Sequence, residues 1–182
     1  VMRLVGSEMC IRDRFFDEIC TMDWNENQDA GYSLQKATEE RVKMFPQYEE
    51  WIRMYYGRWE EMLGHAIEET VDVLDKMIAN PALRVVALTN WSGETFPVAL
   101  ERFEFLHRFE GIVVSGIEKT RKPYFDIYQL TLDRFGFQAE ESLFIDDNLR
   151  NIQAASSMGI HTIHFTSPID FKQKLVEKGF TL

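Results

Sequence analysis

From Ala66 to the C-terminus the chain alternates short apolar runs with stretches of helical periodicity, and no other feature restricts its fold as strongly. Val85-Val86-Ala87-Leu88 reads as a fully buried strand, Gly111 to Ser115 as a second, Ser142 to Ile145 as a third and Ile160 to Phe165 as a last one. A helix is predicted near Ile67 to Ala79, where Val71, Leu74 and Ile78 align, and another near Pro97 to Arg102. A third runs from Pro123, a favoured first residue, to Phe135 through Ile127, Leu130 and Leu132. After Asp147, Ile152, Ala155 and Met158 share one helical face, and Gly159 is a natural stop. Helix and strand in turn require right-handed crossovers, which build a parallel, doubly wound, Rossmann-like α/β sheet. Such sheets bind ligands at the carboxyl edge of their strands.

The first third of the chain differs. Residues 15 to about 66 read as helices with no strand candidate. Phe15, Phe16 and Ile19 open the first, and Leu34, Ala37, Arg41 and Met44 keep helical spacing up to Pro46. Trp51, Met54, Tyr55, Trp59, Met62 and Leu63 then form an apolar stripe, expected to pack rather than to hold a cofactor. A length of 182 residues is enough for one core with a small accessory domain. The net charge of -10 argues against a nucleic-acid binder, since a phosphate backbone needs a basic surface. A small phosphorylated molecule needs only a few local positive groups and stays compatible. Cys10 and Cys20 show neither metal-ligand spacing nor a disulfide framework, so a reducing cytoplasm is the expected compartment. No apolar run approaches the roughly 20 residues of a membrane span, and the first residues lack the order of a signal peptide.

Three strand ends carry polar chemistry. Leu88 runs straight into Thr89 and Asn90, where a hydroxyl and backbone N–H groups suit an oxyanion such as phosphate. A turn using Thr and Asn for local hydrogen bonds is the competing reading. Lys122 precedes Pro123, which pushes it out of the α region at a helix start, where the dipole does not stabilise a cation. Carboxylates and a phosphate would compensate; a solvated basic loop with Lys119 and Arg121 is the alternative. Asp146 and Asp147 end the third strand as an adjacent acidic pair, which favours a cation, and oxygen-only ligands suit Mg²⁺. An acidic pair before a helix also serves as an N-cap and dipole partner. Asn151 lies one helical turn beyond Asp147, with its side chain directed back toward the strand end.

Hydroxyl and amide, then lysine, then acidic pair, at successive sheet edges in that order, resembles the haloacid dehalogenase superfamily of phosphohydrolases over roughly residues 15–182. The resemblance rests on Phe144-Ile145-Asp146-Asp147, on Thr89-Asn90-Trp91-Ser92 with Glu94-Thr95-Phe96-Pro97, on Val114-Ser115-Gly116 and on Lys122-Pro123. It implies that Thr89 and Asn90 hold a substrate phosphate and that Lys122 neutralises charge between nucleophile and phosphate. It further implies Asp147 as a Mg²⁺ ligand and Asp146 as an accessory ligand or supporting acid. Residues 15–66 would be a small helical cap domain and 67–182 the Rossmann-like core. The implied function is a phosphomonoesterase on a small phosphorylated metabolite. A 2-haloacid dehalogenase, which needs no metal, is the alternative within the family, and a non-catalytic binding module the alternative outside it. The acidic pair favours the metal-dependent phosphatase. Trp24, Trp91 and Tyr124 are candidates for substrate contact, against core or rim packing.

The family's nucleophile is an aspartate ending a first, central strand, followed two residues later by an acid/base aspartate. This chain shows no such strand ahead of the cap. Asp13 is the only aspartate in residues 1–14, and Phe15 stands two residues on. Residues 1–14 resemble translated sequencing-adapter sequence, so the expectation is a non-native leader with the central strand absent. In this fold that strand would lie between those ending at Leu88 and Ile145. A slot is expected there, open or approached by residues near Met2 to Val5, and the chain as given is expected to be inactive.

Overall fold

The computed structural model describes residues 14–181. The expectation about Met2 to Val5, and most of the leader assigned to 1–14, lie outside the described residues. The N-terminal block is helical throughout. A π-helical turn at Phe15–Ile19 leads into α1 (Met22–Asp29), α2 (Leu34–Met44) and α3 (Glu49–Gly57). The Thr21 and Ser33 hydroxyls cap α1 and α2 by accepting from the N–H of Trp24 and Lys36, groups that have no partner inside the helix. The block has its own apolar cluster of Phe15, Ile19, Cys20, Trp24, Ala37 and Ile52. Trp24 is therefore core. The stripe beyond Gln47 is only partly packing: Trp51, Met54 and Met62 are exposed, and Ile52 is the residue that α3 buries completely. The helix stops at Gly57, so Trp59 and Met62 leave its periodicity.

The remaining chain alternates as its pattern demands: α4 (Glu68–Ala79), β1 (Ala87–Thr89), α5 (Phe96–Arg102), β2 (Ile112–Val114), α6 (Ser115–Glu118), α7 (Phe125–Phe135), β3 (Leu143–Asp146), α8 (Leu149–Ser157), β4 (His161–His164) and α9 (Pro168–Glu177). Helices cover both faces of the strands. Along β3 successive side chains point to opposite faces. Phe144 packs with Ile127, Tyr128 and Ala155 of α7 and α8, while Leu143 and Ile145 pack with Val73, Phe171 and Leu175 of α4 and α9. Pro123 does not open α7. The Lys122–Pro123 peptide is cis, and the helix begins at Phe125.

The sheet departs from one continuous layer. β1 pairs in parallel with β2 (Leu88 opposite Val113), and β3 pairs in parallel with β4 (Ile145 opposite Ile163). Among the described residues no ladder joins the two pairs. A groove of about 940 Å³ runs between them, walled by Val85, Ala87 and Leu88 on one side and by Leu143, Phe144 and Ile145 on the other. This corrects the reading of Val85 to Leu88 as fully buried. Val85 to Leu88 are half-buried because they line the groove.

Candidate active site

The carboxyl ends of β1 and β3 and the segment after α6 bring Asn90, Lys122 and Asp146 into one hydrogen-bonded unit. Asn90 spends its whole side chain on the backbone of Lys122: Oδ1 accepts from Lys122 N–H at 2.9 Å, and Nδ2 donates to Lys122 C=O at 2.9 Å. The amide thus sets where the lysine stands, and the backbone N–H of Asn90 is what it has left for an anion. Lys122 Nζ donates to Asp146 Oδ2 at 2.6 Å and to the C=O of Leu88 at 2.9 Å. That carbonyl lies on β1 beside the groove, and the ammonium gives it a donor. Both charged side chains are buried, Lys122 at 8% and Asp146 at 6% exposure.

The other carboxylate oxygen of Asp146 accepts from Asn148 N–H at 2.8 Å and Asn151 Nδ2 at 3.0 Å. Asn151 therefore reaches back to the strand end as its spacing predicts, and its Oδ1 is buried with no partner among the described residues. The cap of α8 is neither aspartate. Asn148 Oδ1 accepts from Arg150 N–H at 3.0 Å. Asp147 is exposed, and no side-chain hydrogen bond engages it among the described residues. Its carboxylate is left for something outside the helix. Thr89 ends β1 next to Asn90.

These donors match a hard cation in kind but not in number. Asp147 is uncommitted and Asp146 already accepts three hydrogen bonds, and among the described residues no cluster of three or more His, Cys, Asp or Glu side chains forms. Oxygen donors of this kind suit a hard cation, and the exposed Asp147 carboxylate is the one left available to it among the described residues.

No local pattern marks how the helical block meets this site. Glu26 of α1 pairs with Arg121 at 2.7 Å and also with Arg150, so one carboxylate ties α1 to the segments carrying Lys122 and Asp147. Ser115 Oγ accepts from Trp91 N–H at 2.8 Å and donates to the C=O of Asp29 at 2.5 Å. The partners are separated by up to 124 positions, beyond the reach of any local pattern. Asp29 lies in this seam, and burial pushes its carboxyl up to about 6, partly offset by Arg121. The folded state then holds a proton that the unfolded chain releases near pH 4. Stability falls as pH rises from about 4 to about 6, and the deficit is complete above that window. Asp29→Asn is expected to raise Tm near pH 7, by about 2 kcal/mol in stability, and to have no effect near pH 4. Thermal melts at the two pH values check this; an equal effect at both would refute it.

Residues 25–165 match the profile of the haloacid dehalogenase-like hydrolases, which is most of the chain. The chain belongs to that family. This haloacid dehalogenase-like hydrolase is 39% identical over 90 residues to mouse acyl-CoA dehydrogenase family member 10, a match covering 47% of this chain and 8% of that protein. It is 32% identical over 85 residues to the sesquiterpene phosphatase astK of Aspergillus oryzae, covering 47% of this chain and 43% of the relative. With phosphoglycolate phosphatase of Aliivibrio fischeri it shares 24% over 115 residues, covering 63% and 50%. The matches thus span half or less of these curated relatives. A protein of Porphyromonas gingivalis described as a predicted HAD-like family hydrolase superposes with a TM-score of 0.68 at 20% identity, covering 89% of this chain and 83% of that one. A HAD family enzyme of Bacteroides thetaiotaomicron, crystallised with magnesium and inorganic phosphate, gives 0.65 at 20% identity, covering 82% and 78%. At such identity these two likenesses establish the α/β fold. Among the described residues no helix is long and apolar enough to cross a membrane.

Proposed function

We propose that this hydrolase carries the phosphate-binding and charge-neutralising side of a Mg²⁺-dependent phosphomonoesterase site, with residues 15–66 as cap and 67–182 as core, acting on a small phosphorylated metabolite. One observation carries the reading. A buried lysine, fixed by Asn90 and by Asp146, stands at the carboxyl end of the groove beside a second, uncommitted carboxylate, Asp147. Removing Lys122 and Asp146 from water is unfavourable for stability alone, and buried pairs of this kind cluster at functional sites.

The roles follow from position. The Thr89 hydroxyl and the Asn90 N–H would hold phosphate oxygens, and Lys122 Nζ would neutralise the charge that builds as a carboxylate approaches them. Asp147, with Asp146 behind it, would hold Mg²⁺, which when bound draws charge from phosphate oxygens. The attacking carboxylate would come from a strand seated in the groove between β1 and β3. Its oxygen forms a bond to phosphorus as the bond to the alcohol oxygen breaks, and a neighbouring carboxylic acid gives the leaving alkoxide its proton. Water then displaces the carboxylate and inorganic phosphate leaves.

Phosphate release from phenyl phosphate with Mg²⁺ tests this. The 182-residue chain is expected to show none above the uncatalysed rate. The same chain preceded by an apolar strand ending in Asp-x-Asp is expected to turn over, and to stop when the first of those aspartates is replaced by asparagine. Clear turnover by the 182-residue chain alone, or silence from the extended one, would overturn the reading. Halide release from a 2-haloacid instead would assign the dehalogenase reaction.

A further inference from the structure

A second cavity, of about 250 Å³, lies between the helical block and the end of β1. Asn25 and Asp29 of α1, Tyr55 and Tyr56 of α3, and Trp59, Met62 and Leu63 line it from one side; Asn90, Trp91, Ser92 and Thr95 line it from the other. Because Asn90 both lines this cavity and clamps Lys122, the cavity opens beside the proposed phosphate position. Its volume equals that of roughly eight waters at about 30 Å³ each.

Most side-chain donors of the lining are spent within the structure. The Tyr56 hydroxyl donates to Asn25 Oδ1 at 2.7 Å, and that of Tyr55 to the same oxygen at 3.4 Å. Asn25 Nδ2 donates to Asp29 at 3.3 Å. The indole N–H of Trp91 donates to Thr95 Oγ1 at 3.1 Å, and the Thr95 hydroxyl turns to the C=O of Ser92. What these groups leave for a guest is ring surface with a few acceptor oxygens at its edge. Trp59 and Trp91 meet edge to face at 6.3 Å between centroids, and the Tyr55 and Tyr56 rings do so at 4.9 Å. The Asp29 carboxyl is already engaged, accepting from Asn25 Nδ2 at 3.3 Å and lying within the field of Arg121. A polyol placed here would exchange water for walls with few free partners, which is unfavourable for every unpaired hydroxyl. A hydrocarbon group gives up nothing.

We infer that this cavity receives the organic part of the substrate and that this part is apolar, an aryl or unsaturated hydrocarbon group, rather than a polyol or sugar. The inference rests on the phosphate reading above and names the substrate class for that site. Apolar pockets discriminate by about tenfold or more per group accommodated, while a hydroxyl-bearing group finds no matching donor or acceptor.

Calorimetric titration of the 182-residue protein with Mg²⁺ present separates the two claims, using methylphosphonate, 2,3-dihydroxypropylphosphonate, benzylphosphonate and benzyl alcohol. Benzylphosphonate is expected to bind at least about tenfold tighter than methylphosphonate, and the dihydroxypropyl compound no tighter than methylphosphonate. Trp59→Ala is expected to erase the benzyl advantage while methylphosphonate binding stays unchanged. The exposed Met62→Ser, which puts no core contact at risk, is expected to reduce that advantage by a smaller factor. A dihydroxypropylphosphonate that matches or exceeds benzylphosphonate overturns the inference and leaves the phosphate reading intact, as does a benzyl advantage that survives both variants. Binding of benzyl alcohol without binding of methylphosphonate overturns the phosphate reading while the apolar preference of the cavity stands. Binding of no probe overturns both.

Discussion

Replacing Lys122 by methionine is expected to destabilise the protein by about 3 kcal/mol, because it strands a carboxylate that the fold has taken out of water. Asp146 is 6% exposed, and its Oδ2 has the ammonium as its partner at 2.6 Å. The bonds from Asn148 N–H and Asn151 Nδ2 reach only the other oxygen and do not offset the loss of the charge. Lys122→Met also strips Leu88 C=O of its donor. For a chain of this size the expected fall in Tm is roughly 6–12 °C. Lys122→Met combined with Asp146→Asn is expected to recover most of it, since no charge is then left buried and the asparagine oxygen still accepts from Asn148 and Asn151. Melting curves for the two single variants and the double variant give the coupling directly. A Tm change below about 2 °C in Lys122→Met, or no recovery in the double variant, would mean that the pair is not desolvated as described.

The second large effect is expected at Gly116. A Cβ there would stand 2.4 Å from Gly93 N, 2.8 Å from Trp91 O and 2.9 Å from Ser92 Cα. All three are backbone atoms, so no side chain can swing aside. The loop after β1 and the start of α6 are meanwhile tied by Gly116 N–H to Trp91 C=O at 3.0 Å and by Ser115 Oγ to Trp91 N–H. Gly116→Ala must separate them, at about 2–3 kcal/mol by analogy with overpacked cores. The displaced loop carries Asn90 and Trp91, so the lysine clamp and the seam with Asp29 move with it. A lowered Tm together with an altered Trp91 environment in the emission spectrum is the expected signature. Gly57→Ala, at the end of α3 with nothing within 4 Å, is the control and is expected to be near neutral. Equal effects of the two substitutions would show that the close approach at Gly116 is relieved cheaply.

Much of the site was legible from strand ends alone. An apolar run that stops at a polar residue marks where a buried strand emerges, which by itself places Thr89, Asn90, Asp146 and Asp147 at the carboxyl edge. The four-residue step from Asp147 to Asn151 put the amide back over the strand end, where it bonds Asp146. Local patterns also misled. Pro123 reads as a helix start, yet α7 begins two residues later, because the segment before it is held by Asn90 instead of by helix geometry. The stripe from Trp51 to Leu63 reads as one packing face, yet the helix ends at Gly57 and its later members line a cavity. The helix over Pro168–Glu177 is announced only by its start, where Ser167 precedes proline and its Oγ accepts from Asp170 N–H at 3.2 Å.

Periodicity and spacing are one-dimensional, and they were enough to determine a parallel α/β architecture, the edge at which its chemistry lies and the residue types gathered there. Tertiary structure alone decided how those residues are used. It committed the Asn90 amide to positioning Lys122 and set the lysine ammonium between Asp146 and the C=O of Leu88, and these outcomes depend on bonds between segments 24 to 34 positions apart. It also gave the slot expected between the strands ending at Leu88 and Ile145 its size, about 940 Å³, and set the aromatic cavity over the end of β1. Hydrogen bonds and packing between distant segments are chosen in three dimensions, by which groups would otherwise be left buried without partners, and no local pattern records that choice.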